Sequence, residues 1–191
     1  GFGIELAIID AIPGTGGHIG IANGAGVVVA DLQPGFDGGI LRTRSNSGNI
    51  LTFSGPNISG RGYLGIMDEF EVPKAQLTTN PDGSGAIESF NIAGSLVSVM
   101  QTNFQEGGRI SVLNSNTIEQ ALMTTVTDGG YIAINNASGT DIARMQSNTA
   151  GAGSVSIDNT SGTTVGRLTS SSQGNGWINV NNTSGTEMAR M

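Results

Sequence analysis

The stretch GYIAINNASGTDIARM, Gly130 to Met145, returns as GSVSIDNTSGTTVGRL from Gly153 and as GWINVNNTSGTEMARM from Gly176. With the opening glycine as offset 0, the shared pattern is Gly at 0, apolar at +2 and +4, and Asn at +6. It continues with Gly at +9, a small residue at +13 and an apolar one at +15. Working backward, GRISVLNSNTIEQALM from Gly108 and GAIESFNIAGSLVSVM from Gly85 fit. So, with more drift, do GYLGIMDEFEVPKAQL from Gly62, GILRTRSNSGNILTFS from Gly39 and GHIGIANGAGVVVADL from Gly17.

Eight copies therefore start at 17, 39, 62, 85, 108, 130, 153 and 176. Offset +2 is Ile19, Leu41, Leu64, Ile87, Ile110, Ile132, Val155 and Ile178, and +13 is Ala30, Thr52, Ala75, Ser98, Ala121, Ala143, Gly166 and Ala189. Columns that stay in phase through eight copies define a repeat array. Residues 1–16 read as the second strand and return loop of a preceding copy, with Gly3 at +9, Ala7 at +13 and Ile9 at +15. Met191 is +15 of the eighth copy, so the pattern predicts a segment of a longer protein.

Within a copy, offsets +1 to +5 alternate apolar and polar, the period of a half-buried strand. The Asn-x-Ser-Gly that follows is turn chemistry: Asn bonds its own backbone two residues on, and Gly takes positive φ. A second strand is expected over about +11 to +15, then about seven polar residues leading to the next copy. Helix is excluded because Gly and turn residues interrupt every copy and β-branched residues fill the apolar positions.

The fold class is thus all-β, an elongated array of hairpin repeats. At about 4.8 Å per strand each copy advances about 10 Å, and eight would span about 80 Å. Only +2, +4, +13 and +15 are strong inward candidates. A sheet so patterned needs partners for its apolar face, which a homotrimeric β-prism or β-spiral supplies and a single-chain β-solenoid must supply itself. Apolar residues at +12, such as Val29, Leu51, Val97, Ile142 and Val165, suggest cover on the second face of that strand as well.

Of the 191 residues, 31 are Gly, 12% are charged and 5% are aromatic, and the net charge is -7. A chain without a basic stripe does not neutralise phosphates, so nucleic acid is not an expected partner. No apolar run reaches the roughly 18 residues of a membrane helix, and no membrane insertion is expected. The absence of cysteine removes disulfides and thiolate metal sites.

A G-x-I-x-V-x-N-x-x-G-x-x-V-A-x-L array from Gly3 to Met191 resembles the β-repeat shafts of phage tail fibres and related bacterial surface fibres. The resemblance implies a homotrimeric, extracellular or virion-borne shaft or stalk that holds a receptor-binding tip away from a baseplate or cell. Any cell-surface glycan or receptor would then be bound by parts outside this chain. The rival readings are a polysaccharide-active β-solenoid enzyme of the tailspike kind and an adhesin or other binding module.

The search for chemistry assigns no catalytic, cofactor-binding or metal-binding residue and no cofactor. His18 is the only histidine, so one chain has no histidine triad or multi-histidine site, and its +1 position points it outward to solvent. Asp68, Glu69 and Glu71, where the third copy has lost its turn glycine, read as a solvated turn beside Lys74 rather than a calcium site or carboxylate pair. Arg144, Arg167 and Arg190 align at +14, with Asp141 and Glu187 at +11 as expected partners across the hairpin. Asn57, Asn136, Asn159 and Asn182 open N-x-S/T triplets that turn chemistry already explains. Thr140, Thr163 and Thr186 align at +10 beside the turn, and the column does not extend to the first five copies, as an ice-binding ladder would require.

Overall fold

The computed structural model describes residues 7–12, 16–35, 38–57, 59–102, 107–127, 129–147, 152–171 and 173–191. Gly3, placed above in a partial copy, lies outside them. The described chain is all-β, and its contacts divide it into two compact units, Gly1–Gly94 and Ser95–Met191.

The first unit holds β1 (Ala7–Ile12), β2 (Gly16–Ala22), β3 (Val28–Pro34), β4 (Gly39–Arg44), β5 (Ile50–Pro56), β6 (Gly62–Met67), β7 (Pro73–Thr79) and β8 (Gly85–Phe90). The second holds β9 (Leu96–Thr102), β10 (Gly108–Leu113), β11 (Glu119–Val126), β12 (Gly129–Asn135), β13 (Asp141–Ser147), β14 (Gly153–Asp158), β15 (Thr164–Ser170), β16 (Gly176–Asn181) and β17 (Glu187–Arg190). In each unit every strand pairs antiparallel with the strands before and after it in sequence. This is a meander of hairpins, as the repeat predicts, and not the strand-over-like-strand stacking of a coil.

The hairpin turns explain the sequence signature. At +6 the Asn side chain accepts from backbone N–H groups two and four residues on, as Asn136 Oδ1 does from Ser138 and Thr140 at 3.0 Å each. The +9 N–H bonds back to the +6 carbonyl, and the strand register shifts by one residue at +5. A tight turn closed by a left-handed residue and a bulge fits the twist of the flanking strands. All eight +9 residues have positive φ, including Glu71 and Thr117 at 62°.

Three of the stretches expected to be loose return loops are the same turn again. Asn57, Asn80 and Ser171 each receive the N–H three residues on and donate to the carbonyl four on. The strands accordingly run to +17 rather than +15, as in β5 and β7.

Candidate functional site

The alternation of each strand gives each unit two faces of opposite character. One carries +1, +3, +5 and +14. Here long side chains lie over small neighbours on the same strand. Arg109 Nε donates to Ser111 Oγ at 2.9 Å, and Ser111 is 2% exposed. Tyr63 covers Gly65 so closely that a Cβ on Gly65 would meet its hydroxyl at 2.5 Å. Ala133, between the +1 and +5 residues Tyr131 and Asn135 of β12, is 1% exposed. The +12 residues Val29, Leu51, Ile142 and Val165 are half-buried on this same face.

Most of its charges are paired within the chain. In the first unit Asp31, 4% exposed, sits 3.0 Å from Arg44 and 4.0 Å from Arg42. In the second, Arg109 meets Glu119 at 2.5 Å and Arg190 meets Glu187 at 2.7 Å. The Arg190 guanidinium also lies 5.5 Å over the Trp177 ring. Arg144 does not take Asp141. It lies 2.8 Å from the fully buried carboxylate of Asp158 and donates to Thr164 Oγ1, while Asp141 accepts from the Tyr131 hydroxyl. Burial, reinforced by Asp141, pushes the Tyr131 phenol up to about 12. Arg167, the third member of the +14 column, is exposed.

His18 departs from the expected solvated ring: its side chain is 15% exposed, lies against Gly20, and places Nδ1 3.2 Å from Asp10. The acidic trio is a structural turn. Asp68 accepts the N–H groups of Phe70 and Val72 and lies 3.0 Å from Lys74, and these bonds, Val72's first, hold its carboxyl below the usual range. Glu71 instead caps the Ile50 N–H at 2.8 Å. No group of three His, Asp or Glu among the described residues is placed to hold a metal ion. No described helix is long and apolar enough to cross a membrane.

Beside the faces, the turns of successive copies stack. Asn136 Nδ2 donates to Thr160 O at 3.2 Å and Asn159 Nδ2 to Thr183 O at 3.1 Å, so two of the N-x-S/T amides are engaged in the stack. A Cβ on Gly162 would lie 3.2 Å from Thr140 Cγ2, and one on Gly185 3.1 Å from Thr163 Cγ2. The +10 threonine column thus packs beneath the +9 glycine of the next copy.

The second face carries +2, +4, +13 and +15. None of these 32 positions is charged. Every large apolar residue at +2 and +4 keeps between 39% and 60% of its surface exposed, from Ile132 to Ile157. Along it the +13 residues alternate with larger +4 residues: Ala143 pairs with Ile134 on one side and Ile157 on the other. The residues read as core in the sequence are the uncovered ones, because same-face neighbours supply only half of a core environment. No family model matches the chain, and no curated protein matches it either.

Proposed function

We propose that this chain is a non-catalytic structural module, a shaft or stalk of a virion fibre or cell-surface appendage, working as a homotrimer outside the cell. The observation that carries the reading is the division of labour between the faces. Ionic groups on the polar face are mostly satisfied by one another, leaving few groups free to act on a substrate. The other face is uncharged, repeated and uncovered, as an assembly surface would be. An interface core is depleted of charge in the same way. The receptor-binding tip that such a shaft presents would lie in other parts of the protein.

Antibodies to this chain, applied to intact particles or cells and seen by electron microscopy, test the reading. Label distributed along a filament is expected. Label confined to the cell interior, or turnover of host polysaccharides by the purified chain, would favour the tailspike-like enzyme.

A further inference from the structure

The chain's exposed surface is on the scale that a self-assembling protein leaves for its interface. The chain of 19.4 kDa exposes 11515 Å². A folded monomer of that mass exposes about 8,500 Å², so about 3,000 Å² is in excess. That is the scale of an obligate interface, roughly 2,000–5,000 Å² in total. In the second unit the face also holds an apolar groove of ≈ 670 Å³ lined by Met100, Ile110, Met123, Ile132 and Met145. A charged or strongly polar partner finds no counterpart on such a strip.

Two layers break the apolar file: the fourth copy has Ser89 at +4 and Ser98 at +13, and the second copy is polar at three positions. In the second copy Leu41 pairs with Ser54 and Thr43 with Thr52, where the flanking copies put Ile21 against Ala30 and Ile66 against Ala75. The Thr43 and Thr52 hydroxyls lie 2.7 Å apart, so one proton is shared between them and one remains to be donated. Covered by apolar side chains, that hydroxyl would lose its water and gain no acceptor. Covered by the same layer of another copy, it finds one. A polar layer within an apolar seam fixes register in this way.

We propose that this face is the seam between copies of this chain, and that Thr43, Thr52 and Ser54 align the copies parallel and in register, with the small +13 column at the closest approach. This deepens the homotrimer reading and rests on it for association itself. The chain contains no cysteine, so a single one reports on its own copy. Ala75→Cys, at +13 beside the polar layer, is treated with diamide, which takes the two thiol hydrogens as the disulfide forms. Ala25→Cys, exposed in a turn, is the control, and the mass of each protein in solution is measured alongside. Expected are a three-chain mass and a disulfide-linked pair from Ala75→Cys but not from Ala25→Cys. A multimer in which Ala75→Cys stays unlinked, or links no more than Ala25→Cys, overturns the in-register seam and leaves the homotrimer standing. A single-chain mass overturns both.

Discussion

Ile157 and Asp158 are neighbours on β14, yet Asp158 lies fully enclosed beside Arg144 while Ile157 keeps 60% of its surface exposed. The same opposition holds in the first unit between Asp31, at 4%, and Leu32, at 46%. Water is normally kept from apolar groups and given to charges. Here the long side chains of the polar face shut it out, and within each unit none of the described residues does so for the apolar face. On the homotrimer proposed above, the energetics of the two faces should differ in kind: the polar face stabilises one chain at any dilution, whereas the apolar face contributes through mass action.

The sharpest way to break the comparison is Arg144→Met. It leaves the Asp158 carboxylate enclosed without its cation, and its oxygens accept no hydrogen bond in its place. Removing one partner of a buried pair costs about 3–5 kcal/mol. Denaturant unfolding is expected to show that loss at every protein concentration, and Arg144→Met/Asp158→Leu should regain most of it.

On the apolar face, Ala143→Leu fills the space between Ile134 and Ile157. If copies close over that column, overpacking costs about 1–3 kcal/mol, and the loss appears as a melting temperature and mass that fall with dilution. Ala137→Leu, exposed in the turn of the same copy, should change neither. Equal behaviour of the two variants would remove the assembly role of the face.

The turns belong to neither face and sharpen the contrast by their independence. Gly162→Ala must hold a left-handed φ of 79° and crowd Thr140 Cγ2. It should cost about 1–2 kcal/mol on thermal unfolding, from the left-handed backbone alone. Thr117→Gly, at a φ of 62° in the equivalent position, should be stabilising by a comparable amount.

A further effect lies at high pH. Tyr131 has its pKa raised from 10.0 to about 12 in the fold, so the fold favours the neutral phenol. The stability this provides is complete below pH 10 and is lost as pH rises toward 12. Tyr131→Phe should flatten the alkaline limb of a stability–pH curve, and an unchanged limb would show that burial and Asp141 do not hold the phenol neutral.

The strands, their phase and the turn residues were legible in the sequence because each depends on residues a few positions apart. The single-face pattern at +2, +4, +13 and +15 was legible too. Partner choice was not. Asp141 was the local candidate for Arg144, but the pairing of β13 with β14 brings Asp158 from the next copy, and Tyr131 takes Asp141 instead. His18 was misjudged because alternation gives the face of a side chain and not what lies over it. The covering pattern, long at +1 over small at +3, stands in His18 and Gly20, Tyr63 and Gly65, Arg109 and Ser111, and Tyr131 and Ala133. The turns at Asn57, Asn80 and Ser171 carry Gly or Asn signals of their own, masked by reading that stretch as a return loop.

The stacking of each turn glycine on the residue before it has a consequence for length. Within a unit, every strand touches only the strands adjacent in sequence, and each turn leans only on the turn one copy away. Such an array is governed by nearest neighbours. Removing one whole copy from the interior of a unit, or duplicating one, deletes or adds a single like-for-like junction and leaves the others as they were. Copy number is then close to a free variable, and selection can lengthen or shorten the array by unequal recombination without redesigning any residue in it.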